Sequence, residues 1–377
     1  MKIVGILCEY NPLHLGHAKQ ISSIRKMHGD DCAVVCLMSG DFVQRGQPAI
    51  FDKMRRAEAA LSCGADLVLE LPLPYALSSA EGFAAGAVSI LGKFCDEMSF
   101  GAEHPDPEAL MDTARALLCP AFPGHLRRHL DAGLSFPAAR SKALADMGAN
   151  AALVSSPNDI LAVEYCKAIL SQGTAMIPAP IHRPGSYHDC AADAENPSAT
   201  AVRLLIENGG DFRHFVPTDL FSGAPVHSLK HGEKAILARL RTMTDEEFEA
   251  LPYGSEGLWR KLMHESRRQN TLEDILTAVK SNRYTRTRLD RMVLCAFLGL
   301  TAADLSTPAP YARILGFTQR GRQVLRLAKE RTPICNVGQP TDHPFWQTEQ
   351  RITDLYGLFA EPAEPAGLEP KRRVILR

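Results

Sequence analysis

Ile3-Val4-Gly5-Ile6-Leu7-Cys8-Glu9-Tyr10-Asn11-Pro12-Leu13-His14-Leu15-Gly16-His17 decides the reading of this chain. A compact run of Ile, Val, Leu and Cys, stopped by Glu9, predicts a buried strand. Asn11-Pro12 predicts a turn, because proline fixes its own φ and biases the residue before it away from helix. His14 and His17 stand three apart, so on a following helix they share a face, and Gly16 between them leaves room beside the backbone. Two imidazoles at a helix N-terminus, just past the carboxyl end of a parallel strand, suit an anionic ligand. Two ordinary surface histidines are the alternative.

Outward from this stretch, composition narrows the class. The chain has 377 residues, enough for two domains or for one domain with a large insertion. Hydrophobic content of 45% and charged content of 23% are those of an ordinary globular protein. A net charge of −1 means that any polyanion site must be a local basic patch. Ten cysteines without a Cys-x-x-Cys pair argue against a zinc ribbon or a thioredoxin-like centre, and no metal-ligand set is expected. Glu9 interrupts the first apolar run too early for a signal peptide, and no apolar run can span a bilayer. The expectation is a cytoplasmic, reduced protein with no membrane partner.

In chain order, a helix over 17–28 leads to a second buried strand, Cys32 to Met38. Strand, helix and strand within about forty residues form a βαβ unit, which must be parallel and right-handed. A loop follows (Phe42 to Ile50), then a helix over 52–63 with Lys53, Arg55 and Arg56 near its start. Cations there oppose the helix dipole, so they serve another purpose or point to water. Ala65 to Pro72 reads as a third strand, 78–92 as an Ala-rich helix and Cys95 to Phe100 as a fourth strand. Residues 105–150 read as a helical insertion. Ser156 and Pro157 then open a helix as N-cap and first residue, with Asn158 in its first turn. A fifth strand begins at Ala175.

Ser198, Thr200 and Arg203 sit at a later helix start, where backbone N–H groups, hydroxyls and a guanidinium suit phosphate oxygens. A plain serine cap with a solvated arginine is the alternative. Paired with the His-x-Gly-His turn, this second motif resembles the pattern of the nucleotidylyltransferase superfamily. That resemblance implies a Rossmann-like α/β fold binding ATP across the carboxyl edge of a parallel sheet, with Mg2+ sharing the phosphate charge.

Longer motifs resemble one family, the bacterial tRNA(Met) cytidine acetate ligases. They are Glu9-Tyr10-Asn11-Pro12-x-His14-x-Gly16-His17, Met38-Ser39-Gly40-x-Phe42-Val43-Gln44-Arg45-Gly46-x-Pro48-Ala49, Asp66-Leu67-Val68-x-Glu70-Leu71-Pro72, Phe100-Gly101-x-Glu103, Ser156-Pro157-Asn158, Arg183-x-x-x-Tyr187-His188, Ser198-Ala199-Thr200-Ala201-x-Arg203, Arg283-Tyr284-Thr285 and Leu315-Gly316-Phe317. Leu13 and Leu15 depart from the family's Phe and Asn, and Asp41 from its Asn. The resemblance covers residues 1 to about 330, and the sequence from Pro362 onward matches nothing.

The resemblance implies that acetate attacks the α-phosphate of ATP. The resulting acetyl-adenylate then acylates the wobble cytidine of elongator tRNA(Met) to N4-acetylcytidine. His14 and His17 are the implied catalytic residues. The implied ATP site comprises Leu7, Cys8, Glu9, Tyr10, Asn11, Pro12, Leu13, His14, Leu15, Gly16, His17, Ala18, Lys19 and Gln20, with Gly101, Asn158, His182, Arg183, Ser198, Thr200 and Arg203. No acetate-specific residue follows.

Residues 206–377 read as a mostly helical domain beside a catalytic domain over 1–205, with helices over 229–243, 255–268, 271–281, 286–298 and 318–330. Arginines cluster there. Arg283, Tyr284, Arg286 and Arg288 are the expected tRNA contacts, with a wet helix face paired to Glu256, Glu265, Glu273 and Asp290 as the alternative. Lys371-Arg372-Arg373 adds to that surface or forms a loose end. A small-molecule nucleotidylyltransferase or carboxylate-adenylylating ligase and a non-catalytic nucleotide-binding regulator remain open. The Arg-bearing helical half weighs against the first and the intact His14, Gly16 and His17 against the second.

Overall fold

The computed structural model describes residues 1–183, 197–281 and 283–377. Its strands are β1 (Lys2–Cys8), β2 (Cys32–Ser39), β3 (Phe42–Val43), β4 (Gln47–Pro48), β5 (Leu67–Leu71), β6 (Glu97–Ala102), β7 (Ile177–His182), β8 (Ala312–Phe317), β9 (Ile334–Asn336) and β10 (Ile375–Leu376). The main sheet runs β10-β8-β5-β2-β1-β6-β7, with β9 on the outer edge of β8, and β3 and β4 form a separate hairpin. β1, β2, β5, β6 and β7 are mutually parallel, so their connecting helices cover both faces and the central strands are buried throughout. The strand order reverses at β1, between β2 and β6. This is the switch point at which a crevice opens beyond the carboxyl ends.

The expected elements form close to their predicted bounds. They include the helices Leu15–His28, Lys53–Ser62 and Ala80–Leu91, and three insertion helices, Pro107–Leu118, Phe122–Asp131 and Phe136–Asp146. In the second half the helices Leu229–Thr242, Leu258–Arg268, Leu272–Val279, Arg286–Leu298 and Gln319–Arg331 match the amphipathic segments, and Phe345–Tyr356 adds a further one. β7 forms the sheet's far edge, and Pro178 and Pro180 remove two N–H groups from it. Among the described residues no helix is long and apolar enough to cross a membrane.

One expectation is corrected and two alternatives left open by the sequence are narrowed. First, the sheet crosses the boundary expected at 205/206: β8 pairs antiparallel with β5, and β10 pairs with β8. The β5–β8 register sets Arg313 opposite Glu70, and the two are ion-paired at 2.9 Å.

Second, Lys53 and Arg56 face the interior rather than water. Lys53 is 1% exposed and pairs with Glu70 at 2.9 Å, Glu369 at 3.0 Å and Asp41 at 3.4 Å, so the charge that opposes its helix dipole is neutralised laterally. Arg56 donates to the carbonyls of Glu9 (2.6 Å), Phe51 (2.8 Å), Ser39 (3.0 Å) and Gly40.

Third, the C-terminal basic triplet is anchored through its middle residue, while Lys371 and Arg373 are exposed. Arg372 is ion-paired with Asp52 at 2.6 Å and Glu369 at 3.2 Å, and Glu369 also meets Arg313. Burial alone would raise the Glu369 carboxyl, yet Lys53, Arg313 and Arg372 hold it well below the usual carboxylate range. Burial pushes Glu349, which faces Arg313 at 3.0 Å, up to about 7.

Candidate active site

At the carboxyl end of β1 the chain turns through Tyr10 (φ +45°) and enters Leu15–His28. His14 is the N-cap of that helix, not a member of its first turn: its backbone is extended and its Nδ1 accepts from Gly16 N at 3.1 Å. His17 Nδ1 in turn accepts from His14 N at 3.3 Å, and the two rings stack with centroids 3.7 Å apart. Because both Nδ1 atoms accept backbone protons, each neutral ring carries its proton on Nε2.

Burial, with Arg183 and Arg203 nearby, pushes His14 down to about 3. Burial, with His14 and Arg183, lowers His17 well below the ordinary histidine value. Both are therefore neutral Nε2–H donors at pH 7. Among the described residues His14 Nε2 is buried without a hydrogen-bond partner, a donor waiting for an acceptor. A side chain at Gly16 would meet the His14 ring at 3.0 Å, so the space beside Gly16 belongs to that ring rather than to a ligand.

The second motif closes on the first. Ser198 caps Ala199–Glu207 by accepting from Ala201 N at 3.0 Å. Arg203, on that helix, donates Nη1 to Asn11 O at 2.7 Å and Nη2 to Thr200 Oγ1 at 3.1 Å, so one guanidinium ties the two turns together across 192 residues of chain. Asn11 itself is structural, its Oδ1 accepting from Ile50 N at 2.7 Å.

A third helix start, Pro157–Gln172, completes the ring. Ser156 occupies its N-cap position without a side-chain bond. Glu103, at the end of β6, accepts instead from Asp159 N at 2.8 Å and from Asn158 Nδ2 at 2.8 Å. Arg183 Nη1 then donates to Asn158 Oδ1 at 3.3 Å and lies along Gly101, where a Cβ would meet Arg183 Cδ at 3.2 Å.

These groups surround a cavity of about 380 Å³. Of the residues expected at an ATP site, Leu7, Cys8, Glu9, Tyr10, Asn11, His17, Gln20, Gly101, Asn158, Arg183, Ser198, Thr200 and Arg203 line it. Pro12, Leu13, His14, Leu15, Gly16, Ala18, Lys19 and His182 do not. Leu13 is fully buried, His14 stacks behind His17, and His182 is exposed on edge strand β7. Tyr187 and His188 lie outside the described residues. Sequence reasoning missed Phe83, Tyr165 and Thr287 on the wall. Nothing local marks them, because distant helices bring them in. Among the described lining residues there are three arginines (Arg45, Arg183, Arg203) and one carboxylate, Glu9. With three helix N-termini converging on it, the cavity is built for a polyanion.

The arginines expected to meet tRNA carry internal partners. Arg283 pairs with Glu256 at 2.8 Å and Tyr284 Oη donates to Glu256 at 2.9 Å. Arg286 pairs with Glu273 (2.7 Å) and Asp290 (2.8 Å), and Arg288 donates to Tyr253 O at 2.8 Å. Three of the four acidic partners weighed in the alternative reading are therefore engaged. Glu265 instead accepts from Gln269.

The HIGH Nucleotidyl Transferase family model matches residues 1–369. The chain is 36% identical to the tRNA(Met) cytidine acetate ligase of Acetivibrio thermocellus over the full length of both. It is also 36% identical to that of Clostridium novyi over 89% of each. Thermotoga maritima TmcAL superposes over the whole of both chains at 30% identity, with a TM-score of 0.90 for the apo crystal structure and 0.87 for the one bound with alpha-thio ATP. This chain therefore belongs to the tRNA(Met) cytidine acetate ligase family, within the HIGH nucleotidyl transferases.

Proposed function

We propose that this protein is the cytoplasmic ligase that activates acetate with ATP as acetyl-adenylate and transfers the acetyl group to the wobble cytidine of elongator tRNA(Met). The observation that carries the reading is the Arg203 bridge between the histidine turn and the Ser198–Arg203 turn, which makes two separated motifs one phosphate clamp.

Acetate is unreactive toward an amine until one of its oxygens belongs to a good leaving group. Attack of the acetate oxygen on the α-phosphate forms that bond and expels pyrophosphate, and negative charge builds on the non-bridging and leaving oxygens. Preorganised donors stabilise that charge without reorganising during the step. In this reading His17 Nε2–H faces the phosphates. His14, behind it, fixes the plane of His17 by stacking. Arg203, Thr200 and Ser198 hold the outer phosphates, while Arg183, oriented by Asn158 and Glu103, reaches over the nucleotide.

Mg2+ fits the donor set as an ion carried on the triphosphate rather than caged by protein. Among the described residues no three His, Cys, Asp or Glu side chains are grouped so as to hold a metal ion, and Glu9 is the one carboxylate among the described residues of the wall. Bound there, it would neutralise phosphate charge. Arg283, Tyr284, Arg286 and Arg288 remain the proposed tRNA-facing surface, since exposed ion pairs exchange readily for phosphate contacts.

The test is acetate-dependent exchange of labelled pyrophosphate into ATP without tRNA. Exchange that is lost in His17→Ala supports the assignment. Exchange unaffected by acetate, or by that substitution, refutes it.

A further inference from the structure

Glu9 is out of place in a phosphate clamp. A carboxylate repels a triphosphate, yet this one lines the cavity six residues after the start of the buried core of β1, among arginines and helix N-termini. It is also held with care. Its carbonyl accepts from buried Arg56 at 2.6 Å and its Oε1 from Gln44 N at 2.8 Å. Among the described residues no donor meets its Oε2.

The loop that orients it is itself fixed. Gln44 Nε2 donates to Ser78 O at 3.1 Å, and Gln44 O accepts from Arg291 Nη1 at 3.2 Å. Gly46 (φ +78°) lies so close to helix Arg286–Leu298 that a Cβ would stand 2.5 Å from Arg291 N. That helix contributes Thr287 to the cavity wall and carries Arg286 and Arg288, two of the residues proposed to face RNA. Thr287, Glu9 and Gln44 therefore line the same cavity as Arg183 and Asn158, and a base admitted beside that helix shares the cavity with Glu9.

We propose that Glu9 is a catalytic and specificity-determining residue of the transfer step, accepting a proton from the exocyclic N4 amine of the incoming cytidine. The proposal rests on the function proposed above. The N4 lone pair is conjugated into the ring and is a weak nucleophile, so loss of a proton has to accompany its attack. N4 attacks the acetyl carbonyl carbon and a C–N bond forms. The C–O bond to phosphate breaks and its electron pair leaves with AMP. One N4 proton passes to Glu9 Oε2 and then to solvent. Carboxylates are the side chains that accept from cytosine N4, and uridine presents a carbonyl there, whose lone pairs Glu9 repels.

The test is Glu9→Gln, which keeps an acceptor for Gln44 N–H and removes the base. Acetyl transfer to tRNA(Met) transcript is measured in single turnover from enzyme loaded with acetyl-adenylate, and acetate-dependent pyrophosphate exchange is measured separately. General-base removal predicts a fall in the transfer constant of about 100-fold or more, and a fall at least tenfold deeper than that in exchange. Equal falls would place Glu9 in the ATP step, as a metal–nucleotide contact, and overturn the proposal. So would transfer within threefold of the unsubstituted enzyme. If E9Q does not fold, the unsubstituted enzyme decides. Transcript with uridine at the wobble position should bind at least fivefold more weakly than the cytidine transcript, and equal binding refutes the N4 contact. An unsubstituted enzyme that exchanges pyrophosphate but never acetylates the transcript would refute the tRNA reading itself, and this proposal with it.

Discussion

Arg203→Lys is the perturbation that bears most directly on the phosphate clamp. The guanidinium makes two hydrogen bonds in different directions, to Asn11 O at 2.7 Å and to Thr200 Oγ1 at 3.1 Å. A lysine keeps the charge but is a point donor on a flexible stem and cannot hold that fork. A hydrogen bond involving a charged group contributes about 1.5–3 kcal/mol, and every 1.4 kcal/mol is a factor of ten. Losing one of the two therefore predicts a roughly 10- to 150-fold fall in kcat/KM for ATP in acetate-dependent pyrophosphate exchange. The melting temperature should fall by only a few degrees, because a loss of that size is small against the unfolding entropy of a chain of 377 residues. An R203K enzyme within threefold of the parent would show that net charge at this point suffices, and would refute the claim that the bridge organises the site.

Three further outcomes follow from the same structure. His14 is pushed down to about 3, below its unfolded value near 6.5, so as pH falls under 6.5 the unfolded chain takes up a proton that the folded chain refuses. Stability should then drop by about 1.4 kcal/mol per pH unit from this residue; urea unfolding at pH 7.5 and 5.5 should show the loss, and His14→Asn should reduce it, whereas an unchanged slope would contradict the buried neutral ring. Glu369→Gln leaves Lys53, Arg313 and Arg372 short of a buried counter-charge and should cost about 3–5 kcal/mol in urea unfolding; a loss under 1 kcal/mol would mean that the tail does not lock the sheet. Arg283→Gln breaks only an exposed pair and should change stability by less than about 1 kcal/mol, but it should weaken tRNA binding and lower the slope of log affinity against log salt by about one; an unchanged slope removes Arg283 from the RNA surface.

How much of this was legible in the sequence follows the range of the interactions. The β1 strand, its histidine turn, the βαβ order and the helix starts at Pro157 and Ala199 could all be read. Each depends on periodicity and capping within a dozen residues. The bridge from Arg203 to Asn11 spans 192 residues and left no local trace, although both ends were already marked as phosphate-site residues. The return of β8 to the sheet was hidden because Ala312–Phe317 is a short run, interrupted by Arg313 and lying among helices, and only pairing with β5 makes it a strand. The ion network stayed undecided for a related reason. Lys53, Arg56 and Arg372 look like surface charges until partners from β2, β5 and the C-terminus close around them. Gly16 was read as leaving room beside the backbone, and what occupies that room is the ring of its own neighbour His14.

The measurement that tests the account most directly is incubation with ATP, labelled acetate and unmodified elongator tRNA(Met), followed by nucleoside analysis of the anticodon. N4-acetylcytidine is expected at the wobble position, with one AMP and one pyrophosphate formed for each acetyl group transferred. ATP consumed on a small carboxylate, with the anticodon cytidine left unacetylated, would contradict it.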